Sequence, residues 1–378
     1  MKAAYGLIAT LLLGAATTTA AAPVELGMTV QGRVGYGSNP YLAEDDNPGS
    51  LLAGIRISPE LTTRTATSTS SLSGYYDYTR YARRYGHTDT LAVDARHKQQ
   101  FSPTLSGNIH AGYLDSLNAL FGPIDTVDEA AIGRRQRIAS GDFSLTYQPN
   151  ARDNWDILGN ISHAHYPGEV SRLSDYTNYG GGIGYSRAFS ENTRIGARFT
   201  VGRYDSDAFA DTTSYQPSLT LRQRLGSNWT LDGRIGAIFQ HTSLAGLHYN
   251  STSLGFGATL CRQVPRYTLC FDGSRDTSPS GLGGLRTETR GSASFNYTLS
   301  ERSNVSLSAT YGHSKTGGFS NEPDQDFGVV RAEYTRRLTE RISIGGSVDY
   351  RHQRYEGIRK VHAVAGALNI TAQIGRMH

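Results

Sequence analysis

Apolar and polar residues alternate along the chain with a period of two, from residue 24 almost to the end. In one such segment the apolar positions are Ile195, Ala197, Phe199 and Val201, and the polar positions between them are Arg194, Arg198 and Thr200. Alternation of this kind is typical of a β-strand with one apolar and one polar face. The pattern therefore predicts an all-β chain built from many similar strands.

Short polar turns recur along the chain, and longer loops rich in Gly, Asp, Asn and Pro lie between them. The turns are centred near Glu60, Pro103, Asn150, Glu191, Ser227, Pro265, Glu301 and Glu340. Eight short turns and nine loops predict 18 strands, or 16 if one hairpin is misread. A soluble β-propeller also repeats about every 40 residues, but each blade needs four short strands. Short turns that alternate with longer loops indicate a transmembrane antiparallel up-and-down β-barrel.

Aromatic residues mark both ends of the predicted strands, as two membrane interfaces require. Those near short turns are Tyr147, Phe189, Tyr297 and Tyr334, and those near loops are Tyr36, Tyr113, Tyr204, Tyr311 and Tyr350. No long constriction loop is recognisable, and loop 117–134, with its three acidic residues, is expected at the surface. The sequence therefore predicts a wide aqueous channel.

The N-terminal segment predicts a secretory signal peptide over residues 1–21, followed by a barrel domain over residues 22–378. Lys2 is followed by an apolar stretch too short to span a membrane and then by small residues. Export and insertion through strands predict residence in the outer membrane of a Gram-negative bacterium. Lipid, lipopolysaccharide and the barrel assembly machinery are the expected partners.

Composition supports this interpretation and excludes other classes. The 378 residues include 43 Gly and 23 Tyr, which suit strands and turns, and only 38% are apolar, which disfavours a large solid core. The formal charge is +4, with no block of basic residues, so nucleic-acid binding is not expected. Two cysteines exclude a disulfide-dense scaffold and a four-cysteine zinc site.

Alternation also predicts which charged side chains face the lumen: fifteen basic and ten acidic. The basic set is Arg33, Arg56, Arg96, Lys98, Arg194, Arg198, Arg222, Arg224, Arg234, Arg262, Arg286, Arg290, Arg331, Arg337 and Arg351. The acidic set is Glu25, Asp77, Asp94, Asp142, Asp156, Asp232, Asp272, Glu288, Glu333 and Asp349. Most of these charged side chains are expected to form cross-strand pairs in which opposite charges neutralise each other. The surplus of basic side chains favours a channel with a preference for anions.

Thirteen of the inward residues are the candidate lining of the channel. They are Arg96, Lys98, Arg194, Arg198, Arg222, Arg224, Arg234, Arg286, Arg290, Asp232, Glu288, Glu333 and Tyr75. The arginines are expected to pair transiently with carboxylates of a passing sugar, and Tyr75 to stack on its rings.

Signals of catalysis are weak, and no enzymatic activity, cofactor or metal site is predicted. No GxSxG, HExxH or P-loop pattern occurs. His163 and His165 share one strand face but lack a third ligand, so a histidine pair at the barrel rim is the better interpretation. The acidic run of residues 44–46 is expected to be an exposed loop rather than a calcium site.

The two cysteines flank a predicted short turn centred on Pro265 and Arg266. A two-residue hairpin there pairs residue 264 with 267 and places Cys261 directly opposite Cys270, with both thiols facing the lumen. Residues opposed in this way lie within disulfide range, and the periplasm is oxidising. The sequence predicts a disulfide with no catalytic role; two reduced residues are the alternative.

Several segments resemble the OmpL-like outer-membrane β-barrel porins of alphaproteobacterial exopolysaccharide clusters. They are Val34-Gly-Tyr-Gly-Ser-Asn-Pro-Tyr41, Gly49-Ser-Leu-Leu-Ala-Gly-Ile-Arg-Ile-Ser-Pro59 and Leu72-Ser-Gly-Tyr-Tyr-Asp-Tyr-Thr-Arg-Tyr81. The resemblance implies a passive conduit that takes part in exopolysaccharide export, with polysaccharide and periplasmic export components as partners. Three alternatives are an uptake porin for small polar or anionic solutes, an outer-face barrel enzyme and an envelope scaffold.

Overall fold

A computed structural model describes residues 23–40, 42, 48–83, 85–117, 135–168, 173–208, 210–244, 246–281, 284–316, 324–355 and 360–375. The predicted signal peptide, residues 1–21, lies outside the described residues. No helix in the described ranges is long and apolar enough to cross a membrane.

Eighteen antiparallel strands make up the described chain. They are β1 (Val24–Gly37), β2 (Ser50–Arg64), β3 (Ser68–Tyr81), β4 (His87–Ser102), β5 (Leu105–Leu117), β6 (Arg135–Tyr147), β7 (Asp153–His165), β8 (Tyr176–Ala188), β9 (Thr193–Ser206), β10 (Asp211–Leu225), β11 (Trp229–Leu244), β12 (Leu247–Val264), β13 (Tyr267–Pro279), β14 (Leu285–Ser300), β15 (Ser303–Thr316), β16 (Gln325–Arg337), β17 (Ile342–Tyr355) and β18 (Val361–Gly375). Each strand pairs with the next, and β1 also pairs with β18, which closes the sheet into a barrel. The predicted 18-strand up-and-down barrel is confirmed.

The two ends of the barrel differ in their connections. At one end, here called the short-turn end, each even-numbered strand from β2 to β16 is joined to the strand that follows it. These eight links have two to five residues each. The other end, the loop end, carries the remaining links. The predicted turn at Glu60 is wrong, because β2 continues to Arg64 and the turn follows at residues 65–67. Pro59, next to Glu60, has no backbone N–H and usually interrupts a strand. Here it is tolerated because the β2–β3 ladder skips residues 58 and 59 and so needs no N–H at that point.

The outer face of the barrel is apolar, and its large side chains are exposed. Phe199 is 45% exposed, Ile235 56% and Leu368 68%, and Phe199 lies between the inward-facing polar residues Arg198 and Thr200. One predicted member of the aromatic girdle is misplaced: Tyr204 faces inward and is fully buried. Because Tyr204 lies among other inward rings at the loop end, it belongs to the packed interior rather than to the outer surface.

The packed core lies inside the barrel at the loop end. Inward-facing side chains are buried there on most strands, for example Thr79, Ser116, Gln136, Tyr204, Ile238, Gln325 and Ala363. One cluster contains Ala164, Tyr166, Tyr176, Tyr204 and Leu285, and a second contains Leu42, Ala363 and Ala365. The wide channel expected from the sequence therefore holds only towards the short-turn end, because protein fills much of the loop end.

Candidate functional site

The ladder places all thirteen candidate lining residues on the inward face. Directly paired residues of neighbouring strands share a face. Arg194 is thus on the same side as Arg222, which is opposite Asp232 on the next strand. The thirteen do not form one site, however, because they divide between the wide short-turn end and the filled loop end.

The inward charge count differs from the one expected from the sequence. Arg262 faces outward, because it follows inward Cys261 and is paired with Leu269, which lies on the outer face. The Arg262 guanidinium lies 5.6 Å from the ring centres of Trp229 and Tyr267. Arg64, Glu60 and Asp276 join the inward set, and of these Glu60 had been expected in a turn. Among the described strands the basic excess therefore falls from five to three.

Four arginines form a patch on the inward face of β9 and β10, called here the arginine patch: Arg194, Arg198, Arg222 and Arg224. Arg194 lies directly opposite Arg222. In the described chain the patch has one acidic partner, Asp232, whose Oδ1 is 3.2 Å from Arg222 Nε. Arg194 reaches only the hydroxyl of Ser186, at 3.4 Å. The patch therefore gathers three inward cations, Arg194, Arg198 and Arg224, that have no carboxylate partner in the described chain.

Gly184 of β8 lies against the side chain of Arg198 in the arginine patch. An added Cβ at Gly184 would come within 3.5 Å of Arg198 Nε, so the Arg198 side chain extends over this bare backbone. That Nε atom is buried and has no hydrogen-bond partner in the described structure. The guanidinium is thus held against the wall, with its charge not neutralised by a carboxylate.

A second charged group lies on β4, β5 and β6 and contains two acids and three bases. The His110 imidazole contacts carboxylates with both ring nitrogens: Asp94 through Nε2 and Asp142 through Nδ1, the latter at 2.6 Å. Asp94 also contacts Arg96 at 2.9 Å. A carboxylate only accepts hydrogen bonds when ionised, so an imidazolium with two donors satisfies both acids. Lys98, on the same face, has no acidic partner in the described chain.

The third group surrounds Tyr75 on β3. The guanidinium carbon of Arg56 lies 3.6 Å from the centre of the Tyr75 ring. Beside it, Arg33 crosses the intervening strand and donates to Asp77 at 2.9 Å. Since Arg56 already covers one face of the Tyr75 ring, that face is not free to stack on a sugar, contrary to the expectation from the sequence.

Four of the thirteen residues belong to the filled loop end instead of the wide channel. Arg286 is buried and donates to the Ser314 carbonyl at 3.2 Å. Arg290 pairs with Glu288 at 3.1 Å, and Arg234 pairs with Asp276.

Glu333, the remaining acid among the thirteen candidate residues, accepts a hydrogen bond from the hydroxyl of Thr335 at 3.4 Å.

The β13–β14 hairpin is the main feature that the sequence did not reveal. Towards the loop end β13 separates from β12 and contacts the inner faces of β9 and β10, while β14 remains paired with β15. Gln216 Nε2 donates to Thr277 Oγ1 at 3.0 Å, and the Tyr204 hydroxyl donates to the Ser280 carbonyl at 2.8 Å. Leu285, at the start of β14, is buried in the cluster around Tyr204. The hairpin therefore narrows the lumen at the loop end.

A sequence signal for this inward turn exists but is easily missed. The positions of β13 and β14 that should face lipid near the loop end are Arg275, Thr277, Thr287 and Thr289. At the same level neighbouring strands carry outward aromatic residues such as Tyr215, Phe239 and Tyr311. Polar residues in place of aromatic ones indicate that this part of the hairpin does not face lipid.

The predicted histidine pair and the acidic run add little to the lining of the channel. His163 and His165 face outward, where His163 lies 3.0 Å from Thr177 and His165 lies 2.6 Å from Asp175. No group of three metal-ligating side chains occurs among the described residues. The acidic run 44–46 and residues 118–134 lie outside the described residues.

Cys261 and Cys270 lie opposite each other in the β12–β13 ladder and are joined by a disulfide. The register of that hairpin is the predicted one, with residue 264 paired with 267. Both residues face inward. Above them the ladder stops at Phe256 and Arg275, although β12 continues to Leu247. The disulfide thus joins the two strands just below the point where they separate.

Comparison with known proteins shows the fold alone. No family model and no curated protein matches the chain. The outer membrane protein opdK of Pseudomonas aeruginosa is similar with a TM-score of 0.50 at 10% identity, over 93% of this chain and 99% of that one. OpdQ of the same organism gives 0.47 at 8% identity, over 94% and 98%. The FrpB iron transporter of Neisseria meningitidis gives 0.45 at 9% identity, over 92% and 81%.

Proposed function

We propose that the protein is an outer-membrane porin that admits small polar solutes, with a preference for anions. The arginine patch is the observation that carries this proposal. It presents four cations and one carboxylate to a water-accessible lumen, and rings of arginine favour anions in pores. The apolar outer face supports residence in a membrane, and the fold that the chain shares with opdK agrees with a porin.

Export of exopolysaccharide, which the sequence resemblance implied, is less well supported. A polymer chain needs a continuous passage along the whole barrel. Here the β13–β14 hairpin fills part of the loop end, and Arg56 covers one face of Tyr75, the expected sugar-stacking residue. Uptake of small solutes needs a narrower passage, so the uptake alternative fits the geometry better. No catalytic role is part of this proposal.

Bilayer recordings and liposome swelling test the proposal together. We expect conductance with a reversal potential of anion sign in a salt gradient, and faster swelling with a small sugar acid than with the neutral sugar of the same size. A cation-selective or non-conducting protein would contradict it. A deletion strain that loses secreted polysaccharide while uptake is unchanged would favour the export function instead.

A further inference from the structure

Eight of the eleven histidines of the chain lie in one part of the molecule, on the outer face of the barrel beside the loop end. Three pairs account for six of them: His163 and His165 on β7, His241 and His248 on β11 and β12, and His352 and His362 on β17 and β18. The other two are His87 on β4 and His313 on β15. Each lies among the four residues of its strand nearest the loop end, and we call these eight residues the histidine belt.

Strand alternation and register place the belt on the outer face. Tyr350, two residues before His352 on β17, is 40% exposed, and Tyr311, two residues before His313, is 57% exposed. His362 is directly paired with His352 and therefore shares its face. The apolar outer face thus ends at the belt, which is the level where the headgroups of a surrounding membrane begin.

The histidines decide the sign of the charge at this level of the outer face. Besides the belt, the outward side chains there include seven carboxylates: Asp89, Asp115, Asp175, Asp205, Asp211, Asp324 and Asp326. They also include six permanent cations: Arg80, Arg135, Arg137, Arg203, Lys315 and Arg354. In the described chain the net charge is therefore −1 with neutral imidazoles and +7 with all eight protonated. Histidine is the side chain that ordinarily changes its charge between about pH 5 and 8.

Most of the permanent charges at this level are paired with one another. Arg135, for example, contacts Asp89 at 3.0 Å and Asp115 at 2.6 Å. Two members of the belt, His165 and His313, each contact a carboxylate, at 2.6 Å and 2.8 Å. The carboxylates are therefore already occupied by cations and by these two histidines.

The six other histidines of the belt have no carboxylate contact in the described chain, and the groups beside them are neutral. His241 contacts the side-chain oxygen of Asn250 at 2.6 Å, and its ring stacks on that of His248 with the ring centres 5.4 Å apart. The ring of His87 stacks on Tyr78 with the centres 5.5 Å apart. Protonation of these six imidazoles adds positive charge that no contacting acid cancels.

We propose that the histidine belt is a docking surface for the phosphate groups of membrane lipids, and that mild acidification strengthens the binding. An imidazolium donates charge-assisted hydrogen bonds to phosphate oxygens, and a belt at the headgroup level meets these anions directly. Longer loops of such barrels face the outside of the cell, so the partner is a phosphorylated lipid of the external leaflet, the lipid A part of lipopolysaccharide. Near neutral pH the same surface is almost uncharged and holds these lipids weakly.

Native mass spectrometry of the full-length protein in detergent, titrated with lipid A that carries both phosphates, tests the proposal. We expect the dissociation constant of lipid A to be about tenfold lower at about pH 5.5 than at about pH 7.5. Lipid A without its phosphates should show no such change. Because the lipid phosphates also titrate in this range, the parent protein and each variant are compared at the same pH.

The variant H241N/H248N/H352N/H362N should lose most of the gain in affinity at acid pH. The control is H97N, which should keep the full gain. His97 also faces outward, since it is paired with Ile109, which is 54% exposed, but it lies towards the short-turn end. A further variant, H241R/H248R, should bind lipid A more tightly than the parent near neutral pH and depend less on pH, because arginine stays charged throughout.

A parent protein whose affinity for lipid A does not rise at acid pH would overturn the proposal. It would equally be overturned if the fourfold asparagine variant kept the gain, or if lipid A without phosphates showed the same gain. A gain that EDTA abolishes would mean that the imidazoles hold a divalent cation instead of phosphate, which also contradicts the proposal. None of these measurements depends on conductance, so failure of the belt and failure of the porin function can be told apart.

Discussion

Arg194 of β9 and Arg222 of β10 lie directly opposite each other, and both side chains face the lumen. Like charges at directly opposed positions destabilise a sheet by roughly 0.2–1 kcal/mol. Asp232 neutralises Arg222, but Arg194 has no carboxylate partner in the described chain. In a water-accessible lumen, an anion bound beside Arg194 and Arg222 relieves the repulsion between their guanidinium groups. This pair of arginines therefore favours anions.

Replacing Arg194 and Arg198 by glutamine should reduce anion selectivity. Both substitutions keep a polar side chain of similar length, so the barrel should fold, while two unneutralised charges disappear from the arginine patch. The reversal potential in a salt gradient should move towards zero, and the selectivity that remains should depend less on salt concentration.

The matched control is R203Q on the same strand. Arg203 faces outward and contacts Asp205 at 2.7 Å, so its charge is outside the lumen. We expect R203Q to leave the reversal potential unchanged. Equal shifts in R203Q and R194Q/R198Q would mean that the selectivity does not arise in the arginine patch.

A second prediction compares neighbours on β9. F199R should destabilise the barrel by about 2–4 kcal/mol, because Phe199 faces outward at mid-strand, where lipid surrounds it. R198S should have a much smaller effect on stability, because Arg198 faces the hydrated lumen. Urea unfolding in lipid vesicles measures both variants. The reverse order of stability would mean that the assignment of inner and outer faces is wrong.

Strand facing could be predicted from the sequence because it depends on local alternation, and a slip of one residue would turn every side chain to the other face. The register around Cys261 and Cys270 followed from a two-residue turn for the same reason. Arg262, expected to face inward, follows inward Cys261 directly, so strict alternation itself places it on the outer face. Whether a side chain points to the inner or the outer face of the barrel can therefore be predicted from the local sequence.

The path of the β13–β14 hairpin could not be predicted, because it depends on contacts between residues far apart in sequence. Tyr204 and Ser280 are separated by 76 residues, and Gln216 and Thr277 by 61. Nothing in the local pattern specifies that these side chains meet. The arginine patch was predicted only in part: alternation placed its members inward, but the direct opposition of Arg194 and Arg222 requires the register between two strands.

A third prediction concerns Gly54, over which Arg33 passes on its way to Asp77. An added Cβ at Gly54 would lie 2.9 Å from both Arg33 Nε and the Tyr78 carbonyl oxygen, which is too close for a carbon atom. G54A should therefore displace Arg33 and weaken its paired hydrogen bonds to Asp77, at a cost of about 1–3 kcal/mol. Urea unfolding measures the loss.

G273A is the control for this substitution. Gly273 is also within a strand, but an added Cβ there meets nothing within 4 Å. We expect G273A to be neutral or slightly stabilising, because alanine restricts the unfolded chain more than glycine does. A loss in G273A as large as that in G54A would show that strand glycines matter here for backbone freedom and not for the passage of Arg33.

The last prediction concerns the Cys261–Cys270 disulfide. Alkylation of the purified protein without reductant should label no thiol by mass spectrometry, and two labelled thiols would contradict the bond. The sequence separation is nine residues, so the closed loop is short and the stabilisation should lie at the lower end of about 2–4 kcal/mol. C261S, C270S and the double variant should lose the same stability, because each substitution alone removes the bond. Losses that add in the double variant would mean that the two side chains stabilise the seam by separate packing contacts.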